Sequence, residues 1–254
     1  MDVEMNGAGS GVDGIAVIVV LVMVGMIALM VVLALAAHKR AKQHRIALVA
    51  FASERGWQII EADKALPKTY RAQPFNARGD NPVAKEILYG TFRGRPARSF
   101  LYQYTTTSST TNADGSTSTS TTTHVFHVVS LTLPVALPAL SLTREGVGSR
   151  LAKKFGRDDI QFESEEFNKA WRVLGADKRF AHGVIHPQMI DLLMRPAVRG
   201  RPLHVDGNQL FTWSPGKHDL GAIEGRLTVL SDVVDRIPRF VWQDHGHDPA
   251  ATVV

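Results

Sequence analysis

Histidines are the first residues to consider for chemistry, because the chain contains ten of them and no cysteine. The lack of cysteine excludes thiolate zinc sites, cysteine nucleophiles and disulfides. His182 and His186 are four residues apart, a spacing that can place two metal ligands on one face of a helix. However, Gly183 weakens a helix and Pro187 marks a boundary. The sequence therefore favours two partly buried histidines over a metal site.

The other histidine pairs give no stronger metal signal. His124 and His127 are three residues apart, and an odd offset in a strand directs two side chains to opposite faces. We therefore expect that they share no ion. His245 and His247 lie beside two aspartates in a polar tail, a composition that allows only weak metal binding. The sequence predicts neither a metal nor a cofactor.

Known catalytic motifs are missing from the sequence. There is no Gly-x-Ser-x-Gly nucleophile elbow and no phosphate-binding loop ending in Gly-Lys-Ser/Thr. Residues 9–14 match G-x-G-x-x-G, but no strand precedes them and an apolar helix follows, so a dinucleotide site is rejected. We therefore predict no enzyme class. An enzyme of unrecognised type, with His182 or His186 in its site, is the weakest of three functional hypotheses.

Residues 14–37 are predicted to form one transmembrane helix. Between Ile15 and Leu35 the chain has no charged residue, Pro, Asn or Gln. A helix of this length rises about 36 Å, and a bilayer has a hydrocarbon core of about 30 Å. A cleaved signal peptide is the alternative, because residues 34–36 read Ala-Leu-Ala. The acidic region before the helix and the length of the apolar run argue against it.

Basic residues flank this helix on one side only. Lys39, Arg40, Lys42 and Arg45, here called the basic collar, follow it, whereas residues 1–13 contain none. The positive-inside rule places residues 1–13 outside the cell as a short tail and the C-terminal part in the cytoplasm. We expect a basic juxtamembrane helix at 38–56, a cytoplasmic α+β domain at 57–243 and a flexible tail at 244–254.

The charge balance indicates which partners the domain prefers. The first 37 residues hold three acids and no Lys or Arg, which leaves 29 bases and 21 acids in the rest of the chain. The lipid bilayer is the first partner, and anionic lipid headgroups are the nearest anions for the basic collar. Arg93, Arg95 and Arg98 alternate with aromatic residues, as on a surface that binds single-stranded nucleic acid. Membrane attachment makes nucleic acid an unexpected partner.

A long hairpin is the most distinctive predicted element. Residues 105–123 include fifteen Ser or Thr around Asn112-Ala113-Asp114-Gly115, which reads as a turn. Folding there pairs Arg98–Thr111 with Ser116–Leu133 and sets residues 101–104 opposite residues 123–126. Its polar tip is the first candidate for binding an unknown protein partner, because unpaired strand edges recruit other strands. A mobile loop without a role is the alternative.

The remaining pattern predicts an α+β fold: a mostly antiparallel sheet with long hairpins, covered by a C-terminal helix. A helix at Leu220–Arg236 has apolar residues at the spacing of one buried stripe. The other predicted elements are strands at Gln58–Glu61, Glu86–Phe92, Ala139–Thr143, Ile160–Glu163 and Ala170–Leu174, helices at Ser149–Phe155, Arg179–Ile185 and Pro187–Met194, and a second hairpin of Pro202–Val205 with Gln209–Trp213.

Three short stretches carry a family resemblance. They are residues 89–96 (YGTFRGRP), Phe167-Asn168 with Trp171-Arg172-Val173, and residues 179–182 (RFAH) with 187–189 (PQM). In these stretches the chain resembles a group of uncharacterised actinobacterial single-pass membrane proteins, over roughly Tyr89–Gly246. The resemblance implies a bacterial plasma-membrane location and no known activity or site residue.

Three functions of different classes follow. The first is a membrane-anchored cytoplasmic interaction module without enzymatic activity, which uses a sheet edge or the Ser/Thr-rich hairpin to hold a protein. The second is a domain that binds anionic lipid headgroups. The third is the unrecognised enzyme.

Overall fold

The computed structural model describes residues 10–112, 115–144 and 159–250, with side chains from residue 20 onward. The predicted helix at Ser149–Phe155 lies outside the described residues. The chain forms two compact units, Met1–Phe51 and Ala52–Val254. The elements are α1 (Ser10–Arg55), β1 (Gln58–Asp63), β2 (Asp80–Phe92), β3 (Arg95–Thr111), β4 (Thr117–Arg144), α2 (Glu165–Ala170), β5 (Trp171–Gly175), α3 (Lys178–Val184), α4 (Pro187–Leu193), β6 (Leu203–Pro215), α5 (Ile223–Arg236) and α6 (Arg239–Asp244).

Helix α1 contains the apolar segment and continues through the basic collar without a break. It begins at Ser10, four residues before the predicted start, and ends at Arg55. Gly56 then adopts a left-handed conformation with φ +63°, which ends the helix as predicted. The described part from Val20 is long and apolar enough to cross a membrane. This is consistent with a single-pass anchor.

The folded unit is built on one six-stranded antiparallel sheet. The strand order is β1-β2-β3-β4-β5, and β6 pairs with β4 as well. The 28-residue strand β4 pairs first with β3, then with β6 and finally with β5 as well. This confirms the predicted α+β fold with its antiparallel sheet and long hairpin.

The two faces of the sheet have different covers. On one face, Phe100, Tyr102 and Phe211 pack with Tyr70 and Phe75 from the segment after β1. The other face carries α5, whose Ile223, Leu227, Leu230 and Val234 are buried, as the predicted stripe requires. Burial of apolar side chains in both layers stabilises the fold, at about 25 cal/mol per Å² of apolar area.

The second predicted hairpin is wrong. Residues 203–215 form one strand, β6, which pairs with β4 along its whole length. Gly207, with φ +60°, pairs with Leu137 between two register shifts whose extra residues lie in β4, so β6 continues here instead of reversing. The Asp206 carboxylate accepts hydrogen bonds from the backbone N–H groups of Arg71 and Ala72 and so fixes the segment after β1.

Two shorter predictions also need correction. The predicted strand Ala139–Thr143 is the end of β4, because that strand continues through Pro134 and Pro138. The predicted strand Ile160–Glu163 is replaced by a single bridge from Asp159 to Leu174. Phe167-Asn168 lies in the short helix α2, where the Ser164 hydroxyl caps the Phe167 amide.

Candidate functional site: the finger, the basic collar and a buried histidine relay

The finger, residues 106–122, is the part of the β3–β4 hairpin that extends beyond the other strands. The last pair of β2 with β3 joins Asp80 and Thr105, and β6 reaches only Phe126 of β4. From Thr106↔Thr122 to Thr111↔Thr117, the two strands pair only with each other within the described residues. Six pairs at about 3.4 Å give a ribbon of about 20 Å.

Local interactions explain why this sequence forms a ribbon. Thr107 and Thr121 join their hydroxyls across the strands at 3.5 Å, and Ser109 and Thr119 do so at 3.3 Å. At the tip, the Asn112 amide donates to the Ser116 carbonyl at 2.9 Å. Thr is a good strand former, so the ribbon holds its shape without a buried face.

The register differs from the predicted one by a single residue. Leu101 lies opposite His127 and Tyr104 lies opposite His124, so residues 101–104 face residues 124–127. The turn prediction was therefore correct in place and the pairing was displaced by one. The Tyr104 ring stacks on the His124 ring with centroids 4.7 Å apart, which closes the base of the finger.

The composition of the finger suits recognition through its backbone. It has no Lys, Arg or Pro, and its one charged residue is Asp114. Natural proteins usually protect strand edges with such residues, because an open edge recruits another strand. Its residues 107–111 and 115–122 are exposed. The finger therefore presents two unprotected edges to solvent.

The basic collar consists of four exposed side chains on α1. Lys39, Arg40, Lys42 and Arg45 lie within about two turns of the helix. At 3.6 residues per turn their directions are spread around the helix axis rather than along one face. Such a ring suits a planar anionic surface better than a single pocketed ligand.

A chain of polar side chains, buried except for the partly exposed Glu86, lies between the sheet and the start of α5. The Ser99 Oγ atom is 2.9 Å from His127 Nε2 and 2.8 Å from His218 Nε2. The backbone N–H of Asp219 donates to His127 Nδ1 at 3.3 Å, and His218 Nδ1 lies 3.3 Å from a Glu86 carboxylate oxygen. These four side chains are called the histidine relay.

The Asp219 backbone N–H fixes the proton of His127, and the remaining directions follow for a neutral His218. A backbone N–H can only donate, so His127 is neutral and carries its proton on Nε2. His127 therefore donates to Ser99 Oγ, and the Ser99 hydroxyl donates to His218 Nε2. His218 then donates from Nδ1 to Glu86. Burial lowers the pKa of His127 to about 2, and the neighbouring His218 and Arg226 act in the same direction.

A backbone bulge aims Glu86 at the relay. Lys85 pairs with Leu101 and Leu88 pairs with Ser99, so two residues of β2 lie opposite Phe100 alone. Glu86 is the first of these two and has φ +51°, a costly conformation for a residue with a side chain. Strained residues of this kind concentrate at functional sites.

Ser99, His218 and Glu86 repeat the order of a hydrolytic triad: hydroxyl, imidazole and carboxylate. However, Ser99 is 0 % exposed, and its oxygen already has two histidine partners. A substrate carbonyl has no path to that oxygen in this conformation. The relay therefore acts as a satisfied polar core, and its geometry alone does not make a nucleophile.

Arg226 is the charged residue beside the relay. Its guanidinium donates to the His127 carbonyl at 3.4 Å and to the Ser214 hydroxyl at 2.8 Å, and its Nε atom has no partner among the described residues. Burial lowers the pKa of Arg226, an effect that Asp219 partly opposes.

His204 forms a second neutral histidine site on the sheet. The Trp213 indole N–H donates to His204 Nε2 at 3.2 Å, so His204 holds its proton on Nδ1. The His204 Nδ1 atom lies 3.0 Å from the Ser141 hydroxyl oxygen. Burial lowers the pKa of His204 to about 3.

His182 and His186, the first pair considered as metal ligands, contact different parts of the fold. His182, in α3, is exposed rather than partly buried, and its ring lies tilted against Phe162 with centroids 4.8 Å apart. His186 is partly buried, precedes α4 and donates to the Arg236 carbonyl at 2.8 Å. His124 lies at the base of the finger and His127 in the relay. Sequence reasoning missed Ser99, His218 and Glu86, because they come from three distant elements and share no local motif.

Two of the three arginines that were considered as a nucleic-acid-binding surface have acidic partners on α5. Arg93 contacts Asp232 at 3.2 Å and Arg95 contacts Asp235 at 2.6 Å. Arg98 lies over the Tyr89 ring at 5.3 Å. The two ion pairs of Arg93 and Arg95 therefore attach the β2–β3 hairpin to α5.

Comparisons with known proteins identify the fold. No family model matches the chain, and no curated protein sequence matches it. Among solved structures, it is similar to the crystal structure of the mycobacterial trehalose monomycolate transport factor A, TtfA, with a TM-score of 0.53 and 13 % sequence identity. The match covers 75 % of this chain and 94 % of that chain. The chain therefore has a TtfA-like α+β fold.

Proposed function

We propose that this chain is a membrane-anchored, non-catalytic accessory factor for the transport of an envelope lipid. Its folded unit lies on the cytoplasmic side of a bacterial plasma membrane, and the finger holds a protein partner there. The observation that carries the proposal is the combination of an apolar helix of membrane length with a fold that matches a lipid transport factor over 94 % of its chain.

The buried relay supports the non-catalytic part of the proposal. Its serine is enclosed on all sides, so the one triad-like arrangement in the described residues offers no reachable nucleophile. A protein that assists transport needs binding surfaces rather than bond chemistry, and the finger offers an exposed one.

The finger binds by adding a strand of the partner to one of its edges. In this mode the backbone supplies most of the hydrogen bonds, and alternate side chains contribute specificity. Six residue pairs are enough to present a strand of ordinary length to the partner.

Replacing residues 106–122 with Asn-Gly tests this proposal. Thr105 and Thr123 face each other, so a two-residue turn closes the shortened hairpin without strain. We expect the shortened protein to reach the membrane, to lose its main crosslinked partner in cells, and to slow the transfer of newly labelled glycolipid to the outer envelope. The partner is measured by crosslinking and mass spectrometry.

Two full-length variants provide the matched comparison. Thr107→Lys with Thr119→Lys puts charge on both finger strands and should abolish the crosslink. Thr107→Ser with Thr119→Ser keeps the neutral backbone edges and should retain it. An unchanged set of partners after the deletion, or an equal loss in both full-length variants, contradicts strand addition by the finger.

The basic collar favours a second candidate function, selection of anionic lipid around α1. Each base near an anionic surface contributes about 1 kcal/mol. We expect full-length protein in mixed bilayers to prefer spin-labelled phosphatidylglycerol over phosphatidylcholine, and the variant with Gln at 39, 40, 42 and 45 to lose that preference. Exchange of Lys64 and Lys68 for Gln is the control. A preference that survives loss of the collar argues against this function.

A further inference from the structure

A cavity of about 600 Å³ lies at the end of α5, on the same side of the sheet as that helix. Its walls come from the β2–β3 turn, the middle of β4, α5, α6 and the residues after α6. The volume is within the range of small-molecule sites, which run from about 300 to about 1,000 Å³.

A gap in the sheet creates this cavity. The last pair of β3 with β4 joins Ala97 and Leu131, and the first pair of β5 with β4 joins Leu140 and Gly175. Between these points, no described strand lies on that edge of β4. Leu133 and Pro134 of this open stretch line the cavity.

The lining has an apolar part formed by side chains with flat or rigid surfaces. Trp242 is the largest of them, and its indole N–H is already bonded to the Ile237 carbonyl at 3.2 Å. Its ring therefore serves the cavity as a surface rather than as a donor. The other apolar lining residues are Pro96, Leu133, Pro134, Val234, Ile237 and Pro249.

The polar lining residues are Arg95, Thr132, Asp235, Arg239 and His247, and both arginines are held in ion pairs. Arg95 contacts Asp235 at 2.6 Å and also donates to the Ser231 hydroxyl at 2.9 Å. The Arg239 guanidinium donates two hydrogen bonds, of 3.0 Å and 2.9 Å, to the Asp248 carboxylate. The Arg239 guanidinium holds the pKa of Asp248 at about 2, so this pair stays charged at neutral pH.

Paired charges distinguish between ligand classes. A site for a phosphate keeps its cations free to neutralise the ligand, whereas both arginines here are already neutralised. A guanidinium–carboxylate pair displays donors and acceptors side by side, which matches the hydroxyl groups of a sugar. An aromatic ring beside them offers a surface for the C–H face of the same sugar ring.

We propose that this cavity binds the uncharged sugar headgroup of a glycolipid. The inference rests on the proposed function in lipid transport and names the chemical class of the lipid. Asp235 accepts hydrogen bonds from sugar hydroxyls, Arg95 and Arg239 donate to them, and Trp242 packs against the ring. The acyl chain stays outside the cavity, whose volume holds only the head of such a molecule.

Saturation-transfer NMR on the full-length protein in nanodiscs tests this proposal. The probes are trehalose, trehalose carrying one short acyl ester, and myo-inositol hexakisphosphate as the anionic comparison. We expect saturable binding of both sugars and none of the phosphate probe at this cavity. Asp235→Asn should weaken sugar binding by about tenfold, because a charged acceptor is lost while the side-chain shape is kept.

Asp232→Asn is the matched control. Asp232 is on the same helix and makes the same kind of ion pair with Arg93, but it does not line the cavity. Its sugar affinity should stay within about twofold of the parent. Thermal melting of both variants shows whether they fold alike.

Several results would overturn the sugar site. They are absence of saturable sugar binding in the parent, an equal loss in both variants, or preferred binding of the phosphate probe. Partner loss after the finger deletion is measured separately in cells. If sugar binding fails while that result stands, the cavity proposal alone falls. If the finger result fails while sugar binding stands, the accessory function falls and the site remains.

Discussion

The two buried histidines His127 and His204 are neutral for the same physical reason. Each has one ring nitrogen occupied by a donor that cannot reverse: the Asp219 backbone N–H for His127 and the Trp213 indole N–H for His204. A proton added to that nitrogen would meet another N–H group. Charging either ring therefore costs a hydrogen bond as well as desolvation.

This arrangement predicts a loss of stability in acid. The folded pKa values of about 2 for His127 and about 3 for His204 lie below the ordinary value of 6.5. Unfolded chains thus bind more protons than folded ones between these values, so stability is present above pH 6.5 and falls as the pH drops below it. Each ring should lower the free energy of unfolding by about 1.4 kcal/mol per pH unit well below 6.5.

Thermal unfolding of the full-length protein between pH 7.5 and 5 measures this slope. His204→Gln should make the slope shallower, because one of the two rings that resist protonation is gone. His182→Gln changes an exposed histidine and should leave the slope unchanged. Equal slopes in all three proteins would show that these buried rings do not control the acid response.

At the scale of the elements, the sequence predicted those parts that depend on local pattern. Thr105–Thr123 was correctly assigned to a hairpin, because strand-forming threonines surround a turn sequence. The predicted helix at Arg179–Ile185 is present as α3, where the Asp177 carboxylate accepts from the Phe180 amide at 2.9 Å. Pro187 does begin α4. Each of these features is decided by residues within a few positions of one another.

Features that depend on distant partners were not predictable in this way. Asp206-Gly207-Asn208 has the composition of a hairpin turn, yet β4 runs beside both halves and keeps it within one strand. The relay needs Glu86 from β2, Ser99 from β3 and His218 from the loop before α5. The cavity arises from the distance between two strand pairings along β4. These features depend on which strands pair and at which residues, and the sequence alone does not show that pairing.

At the scale of the whole molecule, the absence of cysteine makes the proposed topology directly measurable. Ser108→Cys places a single thiol at an exposed position of the finger. If the folded unit is cytoplasmic, a membrane-impermeant maleimide should label this thiol only after the cells are permeabilised. The expectation rests on the positive-inside rule and the bases of the collar.

Gly7→Cys supplies the opposite control for the same experiment. Residue 7 belongs to the N-terminal tail that is expected outside, so its thiol should react in intact cells. Labelling of Ser108→Cys in intact cells would reverse the orientation, and the cytoplasmic partner would have to be replaced by an extracytoplasmic one.

Strand β4 has a mechanical consequence for the folded unit. Its 28 residues run from the finger, past the open stretch of the sheet, to the pairs with β5. A pull at the tip acts on β3 and β4 together and loads the bonds of β4 to β6 and of β3 to β2 in shear, so many bonds resist together instead of breaking one after another. A force that a partner applies at the tip is therefore carried along the same strand that forms part of the cavity wall.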